Sequence, residues 1–100
     1  MPDFGLKKDG LSAVTNTFRN DPRILGAAIF GSRAKGDYKP YSDVDIALYG
    51  DLNPFDVEAV IADLEELPFV YKFDVVAYGL IKNPELLQHI ERVGVKVYER

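Results

Sequence analysis

Two aspartates separated by one valine, Asp43-Val44-Asp45, follow a Gly31-Ser32-Arg33-Ala34-Lys35-Gly36 run, with ten residues between Ser32 and Asp43. On a strand, residues two apart project from the same face roughly 6.5 Å from each other along the chain. Two carboxylates placed so repel one another, and aspartate is disfavoured in strands to begin with. A polyvalent cation between them turns that repulsion into ligation, and an oxygen-only donor set selects Mg2+ or Mn2+ over zinc. Taken alone, the pair reads equally well as charge on an exposed strand face. An EF-hand is excluded, because Ala47 stands where a third oxygen ligand belongs and Leu48 stands at the glycine position.

The glycine run lies directly after the apolar stretch Ile24–Phe30. Glycine there lets the backbone turn sharply and approach a ligand closely. Backbone N–H groups, the Ser32 hydroxyl and the nearby cations Arg33, Lys35 and Lys39 suit a phosphate, with a plain surface turn as the alternative. A Walker loop is excluded, since Asp37 and Tyr38 occupy the positions that need Lys and Ser/Thr. Asp74 is a third acid of interest, alone inside an apolar alternation. It is either an edge-strand charge that discourages aggregation or, if its strand neighbours the Asp45 strand, a third carboxylate. Tyr38 and Tyr41, between the two halves of the pattern, could stack a base or serve the loop itself, and His89 reads as a boundary residue of a helix.

These residues need a scaffold, and the periodicities supply one. Leu11, Val14 and Phe18 place a helix over Lys8 to Arg19, stopped by Asn20-Asp21-Pro22. Ile24 to Phe30 reads as a buried strand, followed by the glycine run as a loop. Asp43 to Tyr49 alternates, with Val44, Ile46 and Leu48 on one face and Asp43, Asp45, Ala47 and Tyr49 on the other. Asn53-Pro54 is an N-cap with proline at the first helical position, ahead of Val57, Val60, Ile61, Leu64 and Leu67 at helical spacing. Lys72 to Tyr78 alternates again, Phe73, Val75 and Ala77 opposing Asp74 and Val76. Asn83-Pro84 opens a last helix through Leu86, Leu87, Ile90 and Val93, Gly94 ends it, and Val95 to Tyr98 is a final strand. The order α-β-loop-β-α-β-α-β predicts an α/β fold, a mixed β-sheet covered by helices, in one domain over residues 1–100.

Composition narrows the chemistry. The 100 residues hold no cysteine and one histidine, which excludes disulfides, thiol nucleophiles and multi-histidine metal sites and fits a cytoplasmic setting. No apolar stretch is long enough to span a membrane. The net charge of −4 argues against general nucleic-acid binding. That charge is uneven: residues 43–71 carry eight acidic and no basic side chains, while residues 1–42 carry seven basic and four acidic ones. A local anionic site is therefore compatible with the first part of the chain.

Phe30-Gly31-Ser32, ten residues, then Asp43-Val44-Asp45-Ile46 resembles the signature of the polymerase-β-like nucleotidyltransferase superfamily. The fuller string Gly-Ser-Arg-Ala-Lys-Gly, five residues, Ser-Asp-Val-Asp is similar to that of the minimal nucleotidyltransferases, the type associated with HEPN toxins as antitoxins. The resemblance implies a nucleotidyltransferase fold in which Gly31, Ser32 and Arg33 bind the triphosphate of ATP or another NTP. Asp43 and Asp45 would hold two Mg2+ ions (Mn2+ is an alternative), and Asp74 would complete the metal site and assist deprotonation of the acceptor hydroxyl. It further implies a partner, a small helical HEPN-type protein carrying the acceptor hydroxyl, with homo- and hetero-oligomers both open. The competing expectation is a non-catalytic module that neutralises such a partner by contact.

Overall fold

The structure, a computed structural model, describes residues 3–7 and 9–100. Its elements in chain order are α1 (Gly10–Arg19), β1 (Gly26–Phe30), α2 (Gly31–Lys35), β2 (Val44–Tyr49), α3 (Pro54–Glu65), β3 (Phe73–Ala77), a 3-10 turn (Tyr78–Leu80), α4 (Pro84–Val93) and β4 (Val95–Glu99). The strands form one sheet in the order β3-β2-β1-β4. β1 runs antiparallel to both β2 and β4, whereas β2 and β3 are parallel. The parallel pair requires a crossover, and α3 supplies it.

The alternation expected from the sequence sets the two faces of the sheet. Ala27, Ile29, Val44, Ile46, Leu48, Phe73, Val75 and Ala77 face Val14 and Phe18 of α1 and Val60 and Leu64 of α3 in the larger core. On the opposite face Phe30 and Ala47 pack with Ile90 of α4, together with Tyr49, Val76 and Leu86. Fully burying a side chain such as Phe18 or Ile29 contributes about 1.5–3 kcal/mol, so the α1/α3 face holds most of the apolar stabilisation. Asp45 and Asp74 fall on the α4 face because they alternate out of phase with the larger core.

Local chemistry fixes the ends of the helices. At α3 the Asn53 side chain accepts from the Asp56 N–H at 2.9 Å, and the Asp56 carboxylate accepts from the Asn53 N–H at 3.0 Å. This reciprocal capping box satisfies two otherwise orphaned donors. At α4 the Asn83 side chain accepts from the Glu85 N–H at 2.9 Å. Both Asn-Pro helix starts are where the sequence put them.

Several boundaries differ from expectation: β2 begins at Val44 rather than Asp43, β3 spans Phe73–Ala77 rather than Lys72 to Tyr78, and β4 runs on to Glu99. The segment after β1, expected as a loop, is the one-turn helix α2. Gly31 at φ 71 reverses the chain at the strand end, Ser-Arg-Ala-Lys winds readily, and Gly36 at φ 88 stops it. α1 starts at Gly10, after Asp9 in the left-handed region, and Lys8, the expected start, lies outside the described residues. The first strand begins at Gly26 rather than Ile24. The Ile24 N–H is turned back onto the Asp21 carbonyl, although Leu25 already bonds to Tyr49.

Candidate functional site

Sheet register brings the sequence features together. Phe30, the last residue of β1, lies directly opposite Asp45, so Gly31 begins α2 beside that aspartate. On its other side Asp45 lies directly opposite Asp74 of β3. Phe30, Asp45 and Asp74 therefore stand in one row across three neighbouring strands, with Gly31 one residue beyond it at the start of α2. The approach is close: a β-carbon on Gly31 would overlap Asp45 Oδ2 and stand 3.1 Å from Asp45 Cγ. Glycine is required there twice over, for the positive φ and for the space.

The electrostatics are strained in one direction. Asp45 is half-buried, while Asp43, one residue ahead of β2, and Asp74 are exposed. Burial is the main cause that pushes the Asp45 carboxyl up to about 6, and the neighbouring charges of Asp74 and then Asp43 add to it. The Arg33 guanidinium opposes the shift without cancelling it. Among the described residues no three acidic or histidine side chains converge into a ready ligand set. The register pairs Asp45 with Asp74, and mutual repulsion gives three carboxylates no reason to close on one another without a cation. The donor set nevertheless fits a hard divalent ion: oxygen only, anionic, and destabilised by its own charge.

Ser32 is half-buried in the first turn of α2, where its carbonyl accepts from the Gly36 N–H at 2.9 Å and the Asp37 N–H at 3.2 Å. Lys35 and Lys39 are exposed, and Lys35 pairs loosely with Asp37 at 3.6 Å. His89 is half-buried at the inner edge of α4, edge-on to Phe30 with ring centroids 6.0 Å apart.

Arg33 requires a correction. Expected to reach for phosphate, it is only 2% exposed. Its Nη1 donates to Phe4 O at 2.7 Å, its Nη2 to Ser42 O at 2.9 Å and Pro40 O at 3.2 Å, and its Nε to Ser42 O at 3.2 Å. The guanidinium also lies against the rings of Tyr38, at 5.1 Å, and Tyr71, at 5.2 Å. In this structure it is committed to the protein interior, and the half-buried Tyr38 packs on it. Sequence reasoning missed Tyr71 altogether; its place two residues ahead of Phe73, on the core-facing alternation, was the available signal.

Two open grooves flank the sheet edge. The larger, about 400 Å³, runs between α3, the end of β3 and the start of α4 and is lined by none of the expected site residues. The smaller, about 260 Å³, includes Tyr41, Ser42, Val70 and Lys72 and adjoins the segment that leads into Asp43.

A glycine–serine turn set against in-register aspartates on a mixed sheet is the architecture of a nucleotidyltransferase. The chain belongs to the polymerase beta nucleotidyltransferase family, whose profile matches residues 12–100. It is similar to a candidate protein adenylyltransferase of Methanocaldococcus jannaschii, 34% identical over 79 residues that cover 79% of this chain and 72% of that protein. The fold is shared with a chain of a toxin–antitoxin complex solved with AMP-PNP, at TM-score 0.73 and 20% identity, covering 95% of this chain and 75% of the other. It is shared also with a chain of the complex between tri-AMPylated Shewanella oneidensis HEPN toxin and its MNT antitoxin. There the TM-score is 0.71 and the identity 17%, with 95% and 74% of the two chains covered. No helix of the described residues is long and apolar enough to cross a membrane.

Proposed function

We propose that this nucleotidyltransferase moves a nucleoside monophosphate from an NTP, ATP foremost, onto a hydroxyl of a small helical HEPN-type partner and acts as its antitoxin. One observation carries the reading: the glycine turn abuts the Asp45 carboxylate while Asp45 lies opposite Asp74, so one triphosphate can reach both turn and acids. The M. jannaschii relative and the AMPylated Shewanella complex support the choice of adenylyl group and protein acceptor.

In this reading the backbone at Gly31 and Ser32, with the Ser32 hydroxyl, binds the β- and γ-phosphates and orients the chain of phosphates toward Asp45. Asp43, Asp45 and Asp74 would hold divalent Mg2+, or Mn2+, which when bound neutralises the charge that develops on the transferring group. The acceptor oxygen forms a bond to the α-phosphorus as the bond to the bridging oxygen breaks, and pyrophosphate leaves with that electron pair. The hydroxyl proton passes to a carboxylate oxygen of Asp74, the edge-strand acid and the most accessible of the in-register pair. Exposed Tyr41 and Val70, beside the groove next to Asp43, offer the partner an apolar landing.

The test is transfer of label. Wild-type protein with its partner, Mg2+ and α-labelled ATP is expected to leave label on the partner, and the Asp43→Asn/Asp45→Asn double variant none. If no NTP labels the partner while the double variant still neutralises it, the chain works by contact and not by catalysis.

A further inference from the structure

Arg33 is the largest fully buried side chain in the described structure and the only charged one in the core, and its cost calls for a reason. Its charge is balanced by carbonyl dipoles and two aromatic faces; no carboxylate among the described residues pairs with it. A leucine would fill such a space without the expense of desolvating a cation.

What the guanidinium does that no apolar side chain can do is join segments. Arg33 sits in α2, two residues after Gly31 and next to Ser32. Its Nη2 and Nε hold Ser42 O, the carbonyl of the peptide that leads into Asp43. One face lies on Tyr71, three residues ahead of Asp74, and the other contact is Tyr38 in the connection between α2 and β2. Nη1 fastens Phe4 O, and with it the segment over residues 3–7, which is closed from outside by the Lys7 N–H donating to Tyr71 Oη at 2.7 Å. The two acid-bearing segments are themselves tied by the Val44 N–H donating to Lys72 O at 2.9 Å. A single planar group thus touches the segments that deliver Gly31 and Ser32, Asp43, and Asp74.

We propose that Arg33 is a positioning residue: it holds the phosphate turn and the two carboxylate segments in fixed relation without touching nucleotide. The inference rests on the nucleotidyl-transfer reading for what is positioned, though not for the positioning itself. Only arginine suits the place. The planar fork spreads its N–H groups over three carbonyls while its faces stack, whereas a lysine ammonium is a point charge that cannot do both.

Arg33→Lys and Arg33→Met, in the full chain, test this. Both are first shown to be folded by circular dichroism and are then assayed below their melting temperatures. Three quantities are measured: Mn2+ affinity by electron paramagnetic resonance with a non-hydrolysable ATP analogue, affinity for that analogue without metal, and kcat and KM for transfer. The expected result for folded Arg33→Lys is Mn2+ affinity weakened about ten-fold or more, metal-free nucleotide affinity unchanged, and kcat/KM for transfer reduced at fixed Mn2+. A role in folding alone would lower the folded fraction and leave Mn2+ affinity per folded molecule untouched, which would overturn the proposal. Loss confined to metal-free nucleotide affinity would make Arg33 a direct phosphate ligand and would also overturn it. Should neither Arg33 variant fold, Tyr38→Leu and Tyr71→Leu each remove one flanking face. Each is then expected to weaken Mn2+ binding in the same direction, and wild-type affinity in both refutes the inference. Wild-type protein that binds no Mn2+–nucleotide defeats the nucleotidyl-transfer reading instead. Positioning is then read from amide hydrogen exchange at Asp43, Val44 and Asp74 in Arg33→Lys, faster exchange supporting it and unchanged exchange refuting it.

Discussion

Gly31 and Gly36 form a matched pair for separating backbone strain from site chemistry. Both have positive φ, 71° and 88°, so alanine at either incurs the left-handed penalty of about 1–2 kcal/mol. They differ in what a β-carbon meets: nothing within 4 Å at Gly36, but the Asp45 carboxylate at Gly31, with Cγ at 3.1 Å and Cβ at 3.4 Å. Asp45 is fixed in the middle of three paired strands, so the overlap at Gly31 is relieved by turning the carboxylate aside. Overpacking of this kind adds about 1–3 kcal/mol. Gly36→Ala should therefore destabilise by about 1–2 kcal/mol and Gly31→Ala by roughly twice that. In a domain of this size each kcal/mol lowers the melting temperature by about 4–8 °C. Thermal melts give the stability half of the comparison. Label transfer, assayed well below both melting temperatures, gives the other: Gly36→Ala should retain it, and Gly31→Ala should lose about 100-fold, the usual cost of a 1 Å displacement at a reacting centre. Equal losses of stability and activity in the two variants would refute the idea that the contact with Asp45 is what Gly31 is for.

Three other outcomes follow from the same structure. The Asp45 carboxyl stands at about 6 in the folded chain against 3.8 for an ordinary aspartate, so the native state takes up a proton more readily than the unfolded one. Metal-free stability should therefore decline as pH rises from about 4 through 6. Asp45→Asn should then stabilise the metal-free protein at pH 7.5 by about 1–2 kcal/mol, after discounting for solvent screening, and give no gain near pH 4; denaturant melts at the two pH values check this. Mn2+ with a non-hydrolysable ATP analogue should raise the wild-type melting temperature and leave that of Asp43→Asn/Asp45→Asn unmoved, as read by thermal shift. Asn53→Ala breaks the capping box of α3 and should cost about 1 kcal/mol in melts without changing label transfer, because α3 lies on the face away from the acids.

Much of the scaffold was legible because its signals are local. The alternation of Val44, Ile46 and Leu48 against Asp45 and Ala47 survives intact as two faces of the sheet. Asn53-Pro54 and Asn83-Pro84 start helices because an asparagine cap and a proline with fixed φ act within one turn. The five residues of α2 are too few to display a period, and the sharp turn at Gly31 masked them as a loop. The juxtaposition of Asp45 and Asp74 depends on a parallel pairing across the α3 crossover, which no local pattern encodes. Arg33 was misread for a related reason. Its acceptors are the carbonyls of Phe4, Pro40 and Ser42, and a carbonyl has the same chemistry whatever residue bears it. Proximity to the glycine turn suggested phosphate, but only the three-dimensional structure shows that the guanidinium is buried against the rings of Tyr38 and Tyr71.

The central claim is that the glycine–serine turn and the aspartates form one site for one nucleotide. Crystals grown with Mn2+ and a non-hydrolysable ATP analogue, measured for anomalous scattering, test it most directly. The account predicts manganese peaks between the Asp45 and Asp74 carboxylates, shared with Asp43, and phosphate density on the backbone of Gly31 and Ser32. Triphosphate bound away from Gly31, or manganese without an Asp45 oxygen in its coordination shell, would contradict it.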